Sequence, residues 1–295
     1  MRAVKELALA KINLYLDVVS RREDGFHEIK TVMHTVSLSD EITVILNSVG
    51  KRNIRLVIEG GVRLPCDSKN IAYAAAALFL DAIGTDADVT VKIKKTIPVA
   101  AGLAGGSADA AATLRAMNRL FDRILGERRL LELAGRLGSD VPFCLIGGTQ
   151  LCEGRGELMT RLPDTLRLNA VIAVAREHVS TPVAYAALDR LYSDFDGTAR
   201  SEGADRLDAL LCDIPSGRLP SAPLHNIFEA AVLLECPGAR EIKDRLYALG
   251  ATHAMMSGSG PSVFGLFESD AEADEACRAL RADGITAFAV KSTKY

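Results

Sequence analysis

The sequence has no CxxC pair, no Cys and His at metal-ligand spacing, and no apolar run approaching the roughly 20 residues that a membrane span needs. Its six cysteines, at positions 66, 144, 152, 212, 236 and 277, are scattered. That distribution points to free, buried thiols in a reducing compartment and away from a disulfide framework or a zinc site. The mildly apolar N-terminal stretch is interrupted by Lys5, Glu6, Lys11 and Asp17, so it holds no signal-peptide core. A cytoplasmic location is the expectation. Positive charge is not in excess either: the net charge is −3 and the pI near 6.0, so no general field draws nucleic acid or an anionic membrane. Aromatics are only 5% and no basic stripe is present, which leaves an RNA-binding module without support. An anionic ligand would have to be held by local groups. Internal repeats and low-complexity tracts are also missing.

What is present is the balance of a globular protein, 48% hydrophobic and 25% charged, in a length comfortable for two domains. From Leu7 to Val18 the residues alternate, with Ala8, Ala10, Ile12, Leu14 and Leu16 on one face of a strand and Leu7, Leu9, Lys11, Asn13 and Tyr15 on the other. Asp24-Gly25 is a turn signal. Strands are expected at Ile29–Leu38, Glu41–Leu46 and Asn53–Glu59, and a helix at Asn70–Ile83 that Gly84 ends. Val89, Val91 and Ile93 then mark a strand closed by Pro98. A loop rich in glycine and alanine follows, and Ser107 opens an amphipathic helix carrying Ala110, Leu114, Met117 and Phe121. A second helix, Glu127–Leu137, stops at Gly138, with Ser139-Asp140-Val141-Pro142 as a short junction. Beyond Gly154 come strands at Val171–Ala175, Ala254–Met256, Ser262–Phe267 and Thr286–Lys291. Helices at Pro182–Tyr192, Asn226–Leu234, Gly238–Leu249 and Ala271–Ala282 are interleaved with them, and Ser193–Asp205 is polar. Interleaving of this kind suits a two-layer α+β sandwich in the second half.

Four segments carry residue types suited to chemistry. Pro98-Val-Ala-Ala-Gly-Leu-Ala-Gly-Gly-Ser107 lies between a strand and a helix N-terminus, where backbone N–H groups and the positive helix end face an anion. The same loop would serve as a tight connector, and it matches neither the P-loop nor the dinucleotide fingerprint. Asp109, in the first helical turn, would repel phosphate unless it faces away or helps hold a cation. Asp140, between a glycine stop and a proline, is either a cap or a fixed, partly buried carboxylate. Lys11 and Asn13, two strand positions apart, share one face; an edge lysine in solvent is the plainer reading of Lys11. Phosphoryl transfer needs a cation to offset charge and a carboxylate to orient or deprotonate a hydroxyl, a pair Lys11 and Asp140 would supply. Finally, Met256-Ser-Gly-Ser-Gly-Pro-Ser262 reads either as a hairpin or as backbone laid against a ligand.

Taken in order, Ala10-Lys-Ile-Asn-Leu14, Asp24-Gly-Phe-His27, Pro98–Ser107, Leu137-Gly-Ser-Asp-Val-Pro142 and Ser257–Ser262 resemble the GHMP kinases, most closely the branch whose acceptor is a cytidine diphosphate-linked polyol. The resemblance covers nearly the whole chain. It implies an α+β, two-domain GHMP kinase fold: an N-terminal ribosomal-protein-S5-like ATP-binding domain over 1–155 and a C-terminal ferredoxin-like α/β sandwich over 156–295. It implies ATP and the polyol as small-molecule substrates, bound in the cleft between the domains, with Mg²⁺ carried by ATP and no protein ligand for the metal specified. Lys11 and Asp140 match the catalytic pair. Pro98, Gly102, Leu103, Ala104, Gly105, Gly106 and Ser107 match the segment around the ATP phosphates, and Asn70 the adenine side. Asn13, Phe26, His27, Thr181, Pro182 and Tyr185 match the acceptor end, and Gly258, Ser259 and Gly260 form a C-terminal glycine loop. One departure is visible. Ser107-Ala108 stands where the family commonly has two serines, leaving fewer hydroxyls for phosphate or Mg²⁺. Rival readings are a kinase of the same superfamily acting on homoserine or mevalonate, and a binding protein that kept the fold and lost the chemistry.

Overall fold

The computed structural model describes residues 2–177, 179–192 and 200–293; most of the polar stretch expected at Ser193–Asp205 therefore lies outside the described residues. The chain begins with β1 (Arg2–Arg21), β2 (His27–Val49), β3 (Asn53–Glu59), α1 (Ile71–Ile83), β4 (Ala87–Lys94) and α2 (Gly105–Leu120). There follow α3 (Glu127–Leu137), α4 (Val141–Ile146), β5 (Thr149–Glu153), β6 (Leu158–Arg161), β7 (Asn169–Val174), α5 (Thr181–Leu191) and α6 (Arg200–Asp213). The last elements are β8 (His225–Asn226), α7 (Glu229–Glu235), α8 (Pro237–Ala248), β9 (His253–Met256), β10 (Ser262–Phe267), α9 (Asp270–Ala282) and β11 (Thr286–Lys291). Among the described residues no helix is long and apolar enough to cross a membrane.

The chain forms two compact units that are discontinuous in sequence. The first gathers Met1–Ala10, Leu38–Val99 and Ala104–Gly147, the second Lys11–Ser37, Ala100–Leu103 and Gly148–Tyr295. In the first unit β4 lies between β3, which runs parallel to it, and the C-terminal half of β2, which runs antiparallel. Val89, Val91 and Ile93 are fully buried, as their alternation requires. Helices α1 to α4 pack together beside this sheet. Alanines at 75 and 76 of α1 and at 108, 110, 111 and 112 of α2 are fully buried, and such small side chains let helices approach closely. Asn70 caps α1, its side chain accepting from Ala72 N–H, and Gly84 ends it in the left-handed region at φ 62.

In the second unit β11, β7, β10 and β9 form an antiparallel sheet in that order, Phe264 facing Ile172 and Ile172 facing Phe288. Helices α8 and α9 pack on it around Leu246, Val263, Phe267 and Leu280. The N-terminal half of β2 pairs with β5, and Tyr15 and Leu16 of β1 pair in parallel with His225 and Asn226 of β8.

Several expectations are corrected. The two strands read at Ile29–Leu38 and Glu41–Leu46 are one, β2. Ser39-Asp40 does not break it, because the fully buried Asp40 carboxylate is satisfied by Thr96 N–H, Ile97 N–H and Lys95. Helix α2 begins at Gly105, not Ser107. The junction at Val141-Pro142 is the first turn of α4, with proline in the position that needs no N–H donor. Asn226, read as the start of a helix, is in β8, and α7 begins only at Glu229. Helix α6, with Leu207 and Leu210 buried, was not anticipated past residue 205. Cys66 and Cys212 are exposed and only the other four thiols are buried.

Helix α1 is anchored by Phe79, fully buried and tilted against Phe121 at 5.8 Å between ring centroids. Phe79→Ala is expected to lower stability by about 3–5 kcal/mol, read from the midpoint of urea unfolding.

Candidate active site

In the second unit the face of β1 that carries Lys11, Asn13, Tyr15 and Asp17 is buried, Lys11 to 4% exposure. Lys11 is therefore no edge lysine in solvent. Its Nζ donates to Asn13 Oδ1 at 2.7 Å and to the Gly102 carbonyl at 3.0 Å, while its backbone N–H donates to Leu103 O. Each acceptor is held by a further partner. Asn13 Nδ2 donates to Thr31 Oγ1, which donates to Tyr15 O, and Ser257 Oγ donates to the same Gly102 carbonyl at 3.0 Å. Asn226 fixes the β9–β10 connection by donating to Met256 O and Gly258 O. Among the described residues Lys11 makes no ion pair. A buried ammonium that meets only neutral acceptors is expensive to desolvate, and an anion placed against it would recover that cost.

In the first unit α2 starts without a side-chain cap and without an acidic residue in its first turn, so its leading N–H groups can face an anion. The segment before it is held in unusual backbone: Ala100, Gly102 and Ala104 have φ of 53, 73 and 55. Left-handed alanine costs roughly 1–2 kcal/mol and persists only where surroundings enforce it. Asp109 does not face the helix end alone. Its Oδ2 accepts from Lys95 Nζ at 2.8 Å, and Lys95 also pairs with Asp40. Two carboxylates thus share one ammonium in a nearly dry setting. Burial pushes the Asp109 carboxyl up to about 8, with Lys95 opposing and Asp40 reinforcing the shift. Its Oδ1 is buried with no partner. Of the two alternatives for Asp109, the structure shows the one in which it holds a cation, and that cation is Lys95.

Asp140 stands at the N-cap of α4 but its side chain caps nothing; its carbonyl accepts from Cys144 N–H. Among the described residues the partly exposed carboxylate has no hydrogen-bond or ion-pair partner. Asn70 is occupied as the α1 cap and by a bond from its amide to Pro65 O.

A second cluster in the second unit surrounds His27. The Arg22–Phe26 turn is closed by Arg22 N–H to Phe26 O, and Asp24 accepts from Phe26 N–H. It presents Phe26 at 54% exposure, with the Arg155 guanidinium 5.0 Å from the ring centroid. Next to it, His27 stacks on Tyr185 and hydrogen-bonds Asp189. Tyr185 meets the edge of Phe228 and packs against the core. Thr181 and Ser259 exchange a hydroxyl hydrogen bond at 3.0 Å, which joins the first turn of α5 to the glycine loop.

The structure thus brings together Lys11, Asn13, Gly102, Leu103 and Gly258, and separately His27 with Tyr185 and Thr181 with Ser259. Pro98, Gly105, Gly106, Ser107, Asn70 and Asp140 lie in the other unit, as does Ala104. Residues that the sequence does not single out are Thr31 and Asn226, with Asp40, Lys95 and Asp189; Ser257 lies within the Met256–Ser262 segment without a role of its own there. Lys95 directly follows a strand whose lysines alternate outward, which disguises it as one more solvent-facing lysine.

Gly102 is the tightest point. A Cβ there would lie 2.1 Å from Ser257 O, and the residue is already left-handed. Gly102→Ala is expected to displace the Ser257–Gly260 loop and lower stability by at least about 2 kcal/mol, measured by urea unfolding.

Comparison with known proteins bears on this arrangement. The model of the GHMP kinases N terminal domain matches residues 70–148, and that of the GHMP kinases C terminal matches 216–286. A 4-diphosphocytidyl-2-C-methyl-D-erythritol kinase of Caldicellulosiruptor bescii is 40% identical over 280 residues, 94% of each chain. One of Gloeobacter violaceus is 40% identical over 296 residues, covering 99% of this chain and 95% of its own. Among solved structures, a crystal structure of 4-(cytidine 5'-diphospho)-2C-methyl-D-erythritol kinase superposes with a TM-score of 0.80 at 35% identity, covering 98% of this chain and all of that one. The chain belongs to the GHMP kinases, in the family of the 4-diphosphocytidyl-2-C-methyl-D-erythritol kinases.

Proposed function

We propose that this protein transfers the γ-phosphoryl group of ATP to the 2-hydroxyl of 4-diphosphocytidyl-2-C-methyl-D-erythritol, a step of the non-mevalonate route to isoprenoid precursors. The observation that carries the reading is the buried Lys11 ammonium, held by a carbonyl and an amide and, among the described residues, without a carboxylate. Phosphoryl transfer is accelerated mainly by positioning and by charge placed where charge develops. Lys11 would meet the transferring group. The N–H groups at Gly105, Gly106 and Ser107, with the segment from Pro98 to Ala104, would hold the remaining phosphate charge, and Mg²⁺ would travel as part of the nucleotide substrate. Asp140, whose carboxylate is unengaged among the described residues, would orient the acceptor hydroxyl and receive its proton. The hydroxyl O–H bond breaks as its oxygen bonds to the γ-phosphorus, and the bond from that phosphorus to the bridging oxygen of ADP breaks. Asn70 would flank adenine. Asn13, Phe26, His27, Thr181 and Tyr185 would face the acceptor, with Gly258, Ser259 and Gly260 closing beside Thr181.

The test is product formation from MgATP with a panel of alcohols: the cytidine-linked polyol, homoserine and mevalonate. The cytidine-linked polyol is expected to be phosphorylated in preference to both others. Asp140→Asn keeps the shape and removes the proton acceptor, so turnover should fall by roughly 10²–10⁴-fold with ATP affinity little changed. Phosphorylation of a base-free alcohol alone, or near-normal turnover by folded Asp140→Asn protein, would contradict the assignment.

A further inference from the structure

The contact between His27 and Asp189 has a consequence for which base the acceptor site takes, and this rests on the functional reading above. Tyr185 and Asp189 are four residues apart on α5, so their side chains lie on one face of the helix. Both meet the same imidazole. Tyr185 stacks on it, with centroids 4.6 Å apart and planes inclined by 25°, and Asp189 Oδ1 lies 2.8 Å from Nε2. Tyr185 is itself held by the edge of the buried Phe228 ring at 4.8 Å and 84°. The His27 side chain is 8% exposed and that of Asp189 29%. The stack therefore fixes the plane of the imidazole, and the carboxylate fixes its rotation within that plane.

An ionised carboxylate only accepts hydrogen bonds, so the nitrogen facing Asp189 carries the proton. In a neutral imidazole the other nitrogen, Nδ1, is then an acceptor. Cytosine and uracil differ at C4, where cytosine carries an amine donor and uracil a carbonyl acceptor. An acceptor nitrogen suits the amine and opposes the carbonyl lone pairs, and a mismatch of that kind is rejected far more strongly than one of shape alone.

We propose that Asp189 is a positioning residue for base selection: it holds the Nε2–H of His27 and so keeps Nδ1 in the acceptor state that an exocyclic amine requires. Asp189 touches neither the reacting atoms nor the base in this scheme; it acts through His27. Its contribution is to specificity and not to the rate of transfer once the acceptor is bound.

The experiment compares cytidine- and uridine-linked acceptors with wild type, Asp189→Ala and Asp189→Asn. In Asp189→Ala the preference for cytidine is expected to fall at least about tenfold, through a higher KM for the cytidine acceptor, while the KM for ATP, kcat at saturation and Tm stay near wild type. Asp189→Asn keeps an amide oxygen that accepts from Nε2–H, so it should retain most of the preference. Nitrogen NMR of histidine-labelled wild-type protein reads the tautomer without any substitution, and it should show the proton of His27 on Nε2. A proton on Nδ1 overturns the proposal, as does an Asp189→Ala protein that prefers cytidine as strongly as wild type. A wild-type enzyme indifferent to the base would instead contradict the functional reading beneath it.

Discussion

A single buried charge organises the centre of the second unit. Lys11 is an ammonium out of water, and an ammonium in that position normally pairs with a carboxylate or gives up its proton. Here it rests on two neutral oxygens, Asn13 Oδ1 and Gly102 O. Those oxygens must point inward, and much of the surrounding structure serves that end. Thr31 turns the Asn13 amide. Ser257 shares the Gly102 carbonyl, and a side chain at 102 would strike the backbone of Ser257. Asn226 ties down the backbone on either side of Ser257.

Lys95 shows the opposite solution with the same residue type. Its side chain is 3% exposed, and Asp40 and Asp109 flank it, so two carboxyl groups share one ammonium. Asp40 is further held by two backbone N–H groups, whereas burial, reinforced by the neighbouring Asp40, holds the Asp109 carboxyl up to about 8 against the pull of Lys95. Lys95 is thus spent on joining β2, the end of β4 and α2. Among the described residues Lys11 has no carboxylate partner. Under the proposed function, a negative group reaching Lys11 would supply what the carboxyl groups of Asp40 and Asp109 supply to Lys95.

Much of the fold was legible in the sequence because it follows from periodicity and punctuation. The alternation of Val89, Val91 and Ile93, the alanine face of α1 between Asn70 and Gly84, and the exact span of β10 needed no tertiary information. What was not legible depended on partners far along the chain. Asp40 stays inside a strand because of residues 95–97, and Asn226 joins β8 because β1 and the 256–258 backbone receive it. The same holds for the candidate site. Residue type and a family resemblance single out Lys11, Asp140 and the glycine segment as candidates, yet the burial of Lys11 comes from its second strand face, which reads as mixed. The resemblance names His27, but Asp189, 162 positions away, carries no local signal that would link it to an imidazole.

The central claim is that Lys11 is held without a counter-charge in order to meet a transferring phosphoryl group. Single-turnover phosphoryl transfer by a Lys11→Met protein of unchanged Tm tests it most directly. The account predicts a loss of about 10²–10³-fold or more in the rate of transfer, the size associated with removing one group that stabilises developing charge. A folded Lys11→Met protein that transfers phosphate at the wild-type rate would contradict it.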